Sequence, residues 1–160
     1  MNKIYIHYGH SSFDPNQFID VGNNPDDLCD GRKPHSGLWG TDIESKHSWK
    51  EAILSDNETA EKEGWRLSKY FKFTLKETSN IMTLKNENDF ISLFMPYFIS
   101  FKQDFTKIPI LNYVVNWRKL AKNYDAIEAY TGSNEILKSA LYGWDCDSIC
   151  VFHKEVIVLL

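Results

Sequence analysis

Short segments with the sequence pattern of β-strands at both ends of the chain constrain its fold more than any other feature. The opening segment "KIYIHYG", residues 3–9, alternates bulky and polar side chains, and "DSICVFH" and "EVIVLL" close the chain. Alternation over a few residues predicts a half-buried strand, and a short apolar run between turn residues predicts a buried one. With helical patterns between these strands, the chain is expected to be of the α+β class.

The middle of the chain mixes both periodicities. Strands are predicted for "SGLWGT", "YFKFTLKE", "NIMTL" and "DAIEAY", and helices for "DIESKHSWKEAIL", "LNYVVNWRKLAKNY" and "NEILKSALYG". We expect "NIMTL" to pair with "YFKFTLKE", and Asp42 or Ser45 to be the N-cap of the first helix. The apolar stretch "ENDFISLFMPYFISFKQDF" is predicted to be helical and kinked at Pro96. This order predicts a curved, largely antiparallel sheet with helices at its edges.

Length and charge limit the class of protein. The 160 residues fit one domain, residues 1–160, and the net charge of −4 argues against non-specific binding to nucleic acid or to an anionic membrane. The N-terminus lacks the apolar core of a signal peptide, and no run has the length of a membrane span. Three cysteines leave an odd thiol under any pairing, which favours reduced thiols. A cytoplasmic protein with no membrane partner is therefore expected.

Three polar islands interrupt the apolar pattern. They are "HYGHSSF" after the first strand, "KPHSGLWGTDIESKHSW", and "GWDCDSICVF" before a late strand. Side chains alternate along a strand, so Asp145 and Asp147 can point the same way whereas His7 and His10 cannot, which weakens a metal site built on the two histidines. Each island also has a structural interpretation: a hydrogen-bonded strand histidine, core tryptophans and a turn aspartate. No glycine-rich phosphate loop joins a strand to a helix, which excludes Rossmann and P-loop folds.

The order of the islands resembles the ADP-ribosyltransferase fold, in the His-Tyr-Glu branch of poly-ADP-ribose polymerases and diphtheria-toxin-like enzymes. That branch has a strand ending in His-Gly-Ser, then a Gly-aromatic-aromatic-Ala/Thr-Asp motif followed by a Ser-Lys-Ser helix bearing an aromatic residue, and a Glu on a late strand. Here the matches are His7 (or His10 on a shifted register), Gly9, Ser11, Gly37, Leu38, Trp39, Gly40, Thr41, Asp42, Ser45, Lys46, Ser48 and Trp49. The resemblance implies split, mostly antiparallel β-sheets with flanking helices.

The resemblance further implies NAD as cofactor and transfer of ADP-ribose to a macromolecular acceptor. The acceptor is expected to be a protein, and a nucleic acid stays open. Cleavage of the nicotinamide–ribose bond passes through an oxocarbenium-like state, which a carboxylate stabilises. Asp147 stands nearest the family Glu, Asp145 would orient the nucleophile, and Glu128 is a further candidate. The implied NAD-binding set is His7, Tyr8, Gly9, His10, Ser11, Arg32, Gly37, Leu38, Trp39, Thr41, Ser45 and Trp49.

Three alternatives to a transferase stay open. The first is a binding or inhibitor protein of the same fold with a weak or inactive site, which Asp in place of Glu favours. The second is an NAD glycohydrolase toxin, in which water is the acceptor. The third is a hydrolase that uses Cys146 or Cys150 with His153. Small phage and bacterial proteins of this fold, some of which disable CRISPR complexes, are similarly short. By analogy alone, a toxin or a phage or mobile-element counter-defence role is expected.

Overall fold

The computed structural model describes residues 3–23, 33–99, 114–141 and 143–160. The strands in these ranges are β1 (Tyr5–Tyr8), β2 (Leu38–Asp42), β3 (Tyr70–Leu75), β4 (Ile81–Leu84), β5 (Phe98–Ile99), β6 (Val114–Val115), β7 (Ala126–Ala129), β8 (Ser148–Val151) and β9 (Ile157–Leu159). The α-helices are α1 (Trp49–Ser55), α2 (Asn57–Lys62), α3 (Glu87–Asp89), α4 (Trp117–Asn123) and α5 (Glu135–Ala140). The predicted α+β class is confirmed.

Seven of these strands form one sheet in the order β4-β7-β8-β2-β1-β3-β9, and β5 pairs with β6 separately. Every pairing in the seven-stranded sheet is antiparallel except that of β4 with β7. The expected largely antiparallel sheet is therefore confirmed. Strands β1, β2 and β8 are adjacent, although β8 begins more than a hundred residues after β2.

The expected pairing of "NIMTL" with "YFKFTLKE" is wrong. Both segments are strands, but β4 pairs in parallel with β7, with Thr83 beside Glu128, while β3 lies between β1 and β9. Four strands of the same sheet lie between β4 and β3. Hydrophobic periodicity predicts that a strand exists but does not select among partners that are distant in sequence.

The helices and the longest apolar segment pack on one face of the sheet, which we call the helical face. Met82, Ile127 and Cys150 on this face contact the cluster that includes Trp117 of α4 and Leu137 of α5. A smaller cluster places α1 and α2 over β1, and its members are Ile6, Tyr8, Ile53 and Ala60. Alternate residues of the same strands form a separate core on the opposite face, with Tyr5, Leu38, Phe73, Ala126, Ile149 and Val151 among its members.

Helix α1 begins later than the sequence indicated. Its N-cap is Ser48, and the two expected caps make other contacts: Asp42 accepts a hydrogen bond from the Glu44 N–H, and the Ser45 hydroxyl accepts one from the His47 N–H. The Ser48 hydroxyl donates to the Glu51 carboxylate. Because Asp42 and Ser45 each accept a hydrogen bond within a turn, the expected N-cap assignment is wrong: they lie six and three residues before Ser48.

The apolar stretch around Pro96 is helical only as far as residue 97. It is a single turn of α3 followed by a π-helical turn at Phe90–Phe94 and a 3₁₀ turn at Met95–Tyr97, with Pro96 inside the last turn. The predicted continuation, residues 100–105, lies outside the described residues. Among the described residues, no helix has the length and apolar character needed to cross a membrane.

Gly37, the residue before β2, packs closely against the end of β8. Its φ is +83°, and a Cβ there would lie 2.6 Å from the Val151 carbonyl oxygen. Gly37→Ala is expected to lower the free energy of unfolding by about 2–4 kcal/mol, from left-handed backbone strain and overpacking together. Urea unfolding measures this, with Gly64→Ala as the matched control, because Gly64 has φ +75° and nothing within 4 Å of its Cβ position. Equal losses in both variants would contradict the close approach.

Candidate active site

The three polar islands converge because their strands are neighbours in the sheet. The first follows β1, the second contains β2 and leads into α1, and the third precedes β8. In the β2–β8 register, Trp39 pairs with Cys150 and Gly40 with Ile149. Residues that are more than a hundred positions apart in sequence are thereby brought to one place on the helical face.

A cleft lined by Trp39, Trp49 and Trp65 opens at this place, and we call it the tryptophan cleft. Its volume is about 400 Å³, including the solvent at its mouth. Lys33, Asp145 and Ser148 contribute the principal polar groups of its lining, with Cys146. A mostly aromatic wall with a few polar groups is the usual composition of a small-molecule site.

Specific contacts fix the orientation of the tryptophan rings. Trp39 meets Trp144 edge to face, with ring centroids 4.7 Å apart. The Trp49 Nε1–H donates to the Ser148 Oγ at 2.8 Å, and the Trp49 and Trp65 ring centroids are 5.7 Å apart. These contacts hold flat apolar surfaces at the cleft, which suits a planar aromatic ring as ligand.

One cation and one carboxylate face this aromatic surface. The Lys33 ammonium lies 4.9 Å from the centroid of the Trp39 ring, in a cation–π geometry. Asp145 is exposed and lines the cleft. Asp145 is the only acidic residue among the described residues that line this cleft. The cleft can therefore hold an aromatic ring, meet an anionic group at Lys33 and place a carboxylate near developing positive charge.

The two cysteines that the structure describes, Cys146 and Cys150, are unsuited to nucleophilic chemistry. Burial raises the pKa of the Cys146 thiol to about 11, against weaker opposing hydrogen bonding from Ser148. Cys150 is fully buried in the core, and the His153 ring is hydrogen-bonded to the Ala121 carbonyl oxygen. Since the thiolate is the nucleophile, these surroundings oppose the cysteine hydrolase alternative.

His7 connects the first island to the second. Its Nδ1 lies 2.7 Å from the Trp39 carbonyl oxygen, and its Nε2 lies 3.0 Å from the Nδ1 of His10. A carbonyl only accepts, so the His7 Nδ1–H donates to it, and His10 in turn donates its Nδ1–H to His7 Nε2. The expectation that His7 and His10 cannot point the same way is wrong. Gly9, with φ +110°, turns the chain between the two rings.

His7 lies beside the cleft. Its ring centroid is 6.3 Å from that of Trp49 and 4.9 Å from that of Phe71. Through its hydrogen bond to the Trp39 carbonyl it holds the backbone of β2 in position. His7 therefore holds Trp39 in position through its backbone and does not itself line the tryptophan cleft.

The pKa of His7 gives a prediction for stability. Burial lowers this pKa below its ordinary 6.5, with the hydrogen bond to Trp39 opposing the shift. Below pH 6.5 the unfolded chain therefore binds the His7 proton before the folded protein does, so acidification lowers stability until the folded pKa is reached. His7→Asn is expected to lose less stability than the wild type between pH 7 and pH 5.

Chemical unfolding at a series of pH values measures the effect. His47→Asn is the matched control, because His47 is exposed and makes no ring contact comparable to that of His7 with Trp49. Parallel pH dependences for the wild type and His7→Asn would contradict this account of His7.

Asp147 lies behind the cleft and is buried, with 7% of its surface exposed. One carboxylate oxygen accepts from the Ser45 hydroxyl at 2.7 Å, and the other accepts from the Gly132 N–H at 2.9 Å. Its backbone carbonyl oxygen accepts from the Thr41 hydroxyl. Three of the predicted site residues, Asp147, Ser45 and Thr41, thus form one buried hydrogen-bonded group that joins the loops around the cleft.

Glu128 is not brought to the cleft. It pairs with Ile149, whose side chain belongs to the opposite face, whereas the neighbouring Ser148 lines the cleft. Its carboxylate accepts from the Lys3 ammonium at 2.8 and 2.9 Å. The candidate role of Glu128 in this site is therefore corrected, because alternation along β7 turns its side chain to the other side of the sheet.

The other predicted residues that the structure describes do not line the cleft. Tyr8 is buried in the cluster that packs against Trp49 and Trp65, and Leu38 belongs to the opposite core. Gly9 and Gly37 provide turns with positive φ, and Ser11 is exposed. Arg32 lies outside the described residues.

Sequence reasoning missed Trp65 and Ser148. Trp65 sits in the loop "EGWRLSKY", and the only signal was a bulky aromatic residue directly after a glycine. Ser148 is the first residue of β8 and anchors the Trp49 indole. Neither role follows from local pattern, since both depend on where α1 and α2 lie over the sheet.

Comparisons with known proteins give no independent assignment. The chain matches no family model, no curated protein and no solved structure. Within the described ranges, no group of three or more His, Cys, Asp and Glu side chains is placed to hold a metal ion.

Proposed function

We propose that this protein is a mono-ADP-ribosyltransferase that binds NAD in the tryptophan cleft and transfers ADP-ribose to a macromolecule. One observation carries the proposal: Trp39 and Trp49, the two aromatic residues of the ADP-ribosyltransferase-like motif, line a single cleft together with an exposed carboxylate. The adjacency of β1, β2 and β8 supports it, because all three motif regions meet there. We include the split-sheet form of that fold in the proposal.

In this proposal, two parts of NAD, the nicotinamide ring and the pyrophosphate, have positions in the tryptophan cleft. The nicotinamide ring stacks on the tryptophan surfaces, and the Lys33 ammonium meets the pyrophosphate. His7 supports the Trp39 backbone through its Nδ1–H. Asp145 stands in for the family Glu and faces the ribose, where positive charge develops. The role predicted for Asp147 thus passes to Asp145, and Asp147 becomes a positioning residue.

The proposed reaction needs no further cofactor. The bond between nicotinamide nitrogen and ribose C1′ breaks, and its electron pair leaves on nicotinamide. C1′ becomes oxocarbenium-like, and a nucleophilic atom of the acceptor bonds to it and loses its proton to solvent. We expect the acceptor to be a protein; a nucleic acid is the alternative acceptor.

A specific observation favours a second candidate, a non-catalytic binding protein of the same fold. The carboxylate of Asp147, nearest in sequence to the family Glu, is fully engaged by Ser45 and Gly132 behind the cleft. If Asp145 does not reach the ribose, the cleft can still bind an aromatic ring, but it has no carboxylate to stabilise the oxocarbenium-like ribose.

Release of nicotinamide from NAD separates the candidates. The purified protein is incubated with NAD, with and without cell lysate, and both nicotinamide and labelled macromolecules are measured. The proposal predicts release that depends on lysate and labels a discrete product. Release without lysate indicates a glycohydrolase. Binding of NAD without any release would support the non-catalytic candidate and contradict the transferase.

A further inference from the structure

We propose that a second crevice, on the opposite face of the sheet from the tryptophan cleft, binds a small molecule that carries a phosphate group. The crevice has a volume of about 800 Å³, including the solvent at its mouth. It lies among β1, β3, β4 and β7, and its lining includes three lysines, Lys3, Lys76 and Lys85. We call it the lysine crevice. The inference is independent of the proposed transferase activity.

A neutralised ion pair forms the floor of the lysine crevice. The Glu128 side chain is 7% exposed, and the Lys3 ammonium donates to both of its oxygens at 2.8 and 2.9 Å. Lys3 also donates to the Tyr130 hydroxyl, and the Tyr5 hydroxyl donates to Glu128 at 3.4 Å. Because the charge of Glu128 is balanced within the protein, the floor does not repel an incoming anion.

The Lys3 side chain is 42% exposed, and an ion pair with one exposed partner contributes little net stability, because solvent screens the attraction and the lysine side chain loses conformational entropy. The position of the Lys3–Glu128 pair at the bottom of an open crevice is therefore better explained by ligand binding than by stabilisation of the fold. By neutralising Glu128 and fixing Tyr5 and Tyr130, it provides a rigid polar floor for a ligand.

The rim of the lysine crevice carries two cations, Lys76 and Lys85, and the Lys85 ammonium lies 5.9 Å from the centroid of the Tyr130 ring. Lys76 and Lys85 make no salt bridge within 4.0 Å in the described part of the chain. Alternation along β4 directs Ile81, Thr83 and Lys85 to the same side. Three ammonium groups thus face the crevice against the carboxylates of Glu77 and Glu128.

Hydroxyl groups lie beside these cations. Ser79 and Thr83 line the crevice, and the Ser79 Oγ is buried without a hydrogen-bond partner among the described residues. The ammonium groups of Lys76 and Lys85 and the Thr83 hydroxyl offer several donors at one place, which matches the many acceptor oxygens of a phosphate. The protein's net charge of −4 disfavours a long polyanion such as nucleic acid, so a small phosphate compound fits better.

The test is a titration of isotope-labelled protein with inorganic phosphate, followed by amide NMR shifts at constant ionic strength. Saturable shifts are expected in residues 74–85 and 128–130. Lys85→Gln and Lys76→Gln are each expected to weaken phosphate binding by about tenfold, since each removes one charge-assisted contact. Lys50→Gln, which removes an exposed lysine of α1, is the matched control and should bind phosphate as the wild type does.

Three results would overturn the inference. They are shifts that do not saturate, equal weakening by Lys50→Gln, and saturable shifts confined to residues around Trp39 and Trp49. The last result would place the phosphate in the tryptophan cleft. The amide spectra of the variants without phosphate report whether they are folded. Because the readout is binding at the lysine crevice, its outcome is separate from that of the nicotinamide assay.

Discussion

Asp145→Asn is expected to slow nicotinamide release by about 10²–10³-fold while leaving stability near that of the wild type. Asp145 is exposed at the mouth of the tryptophan cleft, so the protein does not depend on its charge for folding. Asparagine keeps the shape and removes the negative charge that would face the oxocarbenium-like ribose. Loss of a preorganised electrostatic group at a reacting centre typically costs this factor, or about 3–4 kcal/mol of transition-state stabilisation.

The rate is measured as nicotinamide release at saturating NAD in the presence of cell lysate, and stability by urea unfolding of the purified variants. Asp14→Asn is the matched control: Asp14 is an exposed aspartate that accepts a hydrogen bond from the Asn16 N–H, which asparagine can also accept. A wild-type rate in Asp145→Asn would remove Asp145 from the chemistry. An equal loss in Asp14→Asn would show that the effect is not specific to the cleft.

Asp147→Ala is expected to have the opposite profile, a loss of about 2–4 kcal/mol in the free energy of unfolding. The substitution removes the acceptor of the Ser45 hydroxyl and of the Gly132 N–H at a buried position. Each donor left without a partner costs about 1–3 kcal/mol. Urea unfolding measures the loss. In the folded fraction, nicotinamide release should fall far less than in Asp145→Asn.

Asp147→Asn provides the conservative comparison. Its side-chain oxygen can still accept one of the two hydrogen bonds, so the loss of stability should be smaller than for alanine. If Asp147→Asn is stable but releases no nicotinamide, Asp147 is the catalytic carboxylate that the sequence indicated, and its assignment as a positioning residue is wrong.

Local patterns predicted strands well, both where one face of a strand is buried and where the whole strand is buried. Alternation in "YFKFTLKE" and the apolar run "SICV" correspond to β3 and β8. The partner of β4 was not predictable in the same way, since its neighbour β7 is distant in sequence and the choice depends on the whole sheet. The first residue of α1 was not predictable, because capping competes with turn formation for the same side chains. Asp42 and Ser45 accept hydrogen bonds from backbone N–H groups of a turn and do not cap the helix.

The sequence predicted which residues belong to the site better than it predicted how they are arranged in space. Trp39 and Trp49 do line one cleft, as their motif indicated. The expectation that Asp145 and Asp147 can point the same way is not met, because Asp145 is exposed and Asp147 is buried. Both residues precede β8, which begins at Ser148, so the alternation of a strand does not govern them. Glu128 could be assigned to the opposite face only once its register with Ile149 was known.

Calorimetric titration with NAD and with ADP-ribose, on the wild type and on Trp49→Leu, tests the central claim most directly. If the tryptophan cleft holds the nicotinamide ring, the wild type binds NAD more tightly than ADP-ribose, which lacks that ring. Trp49→Leu should then weaken NAD binding about tenfold, as expected for loss of one aromatic stacking partner, and affect ADP-ribose little. Equal affinities of the wild type and Trp49→Leu for NAD, or no binding of NAD to the wild type, would contradict the account.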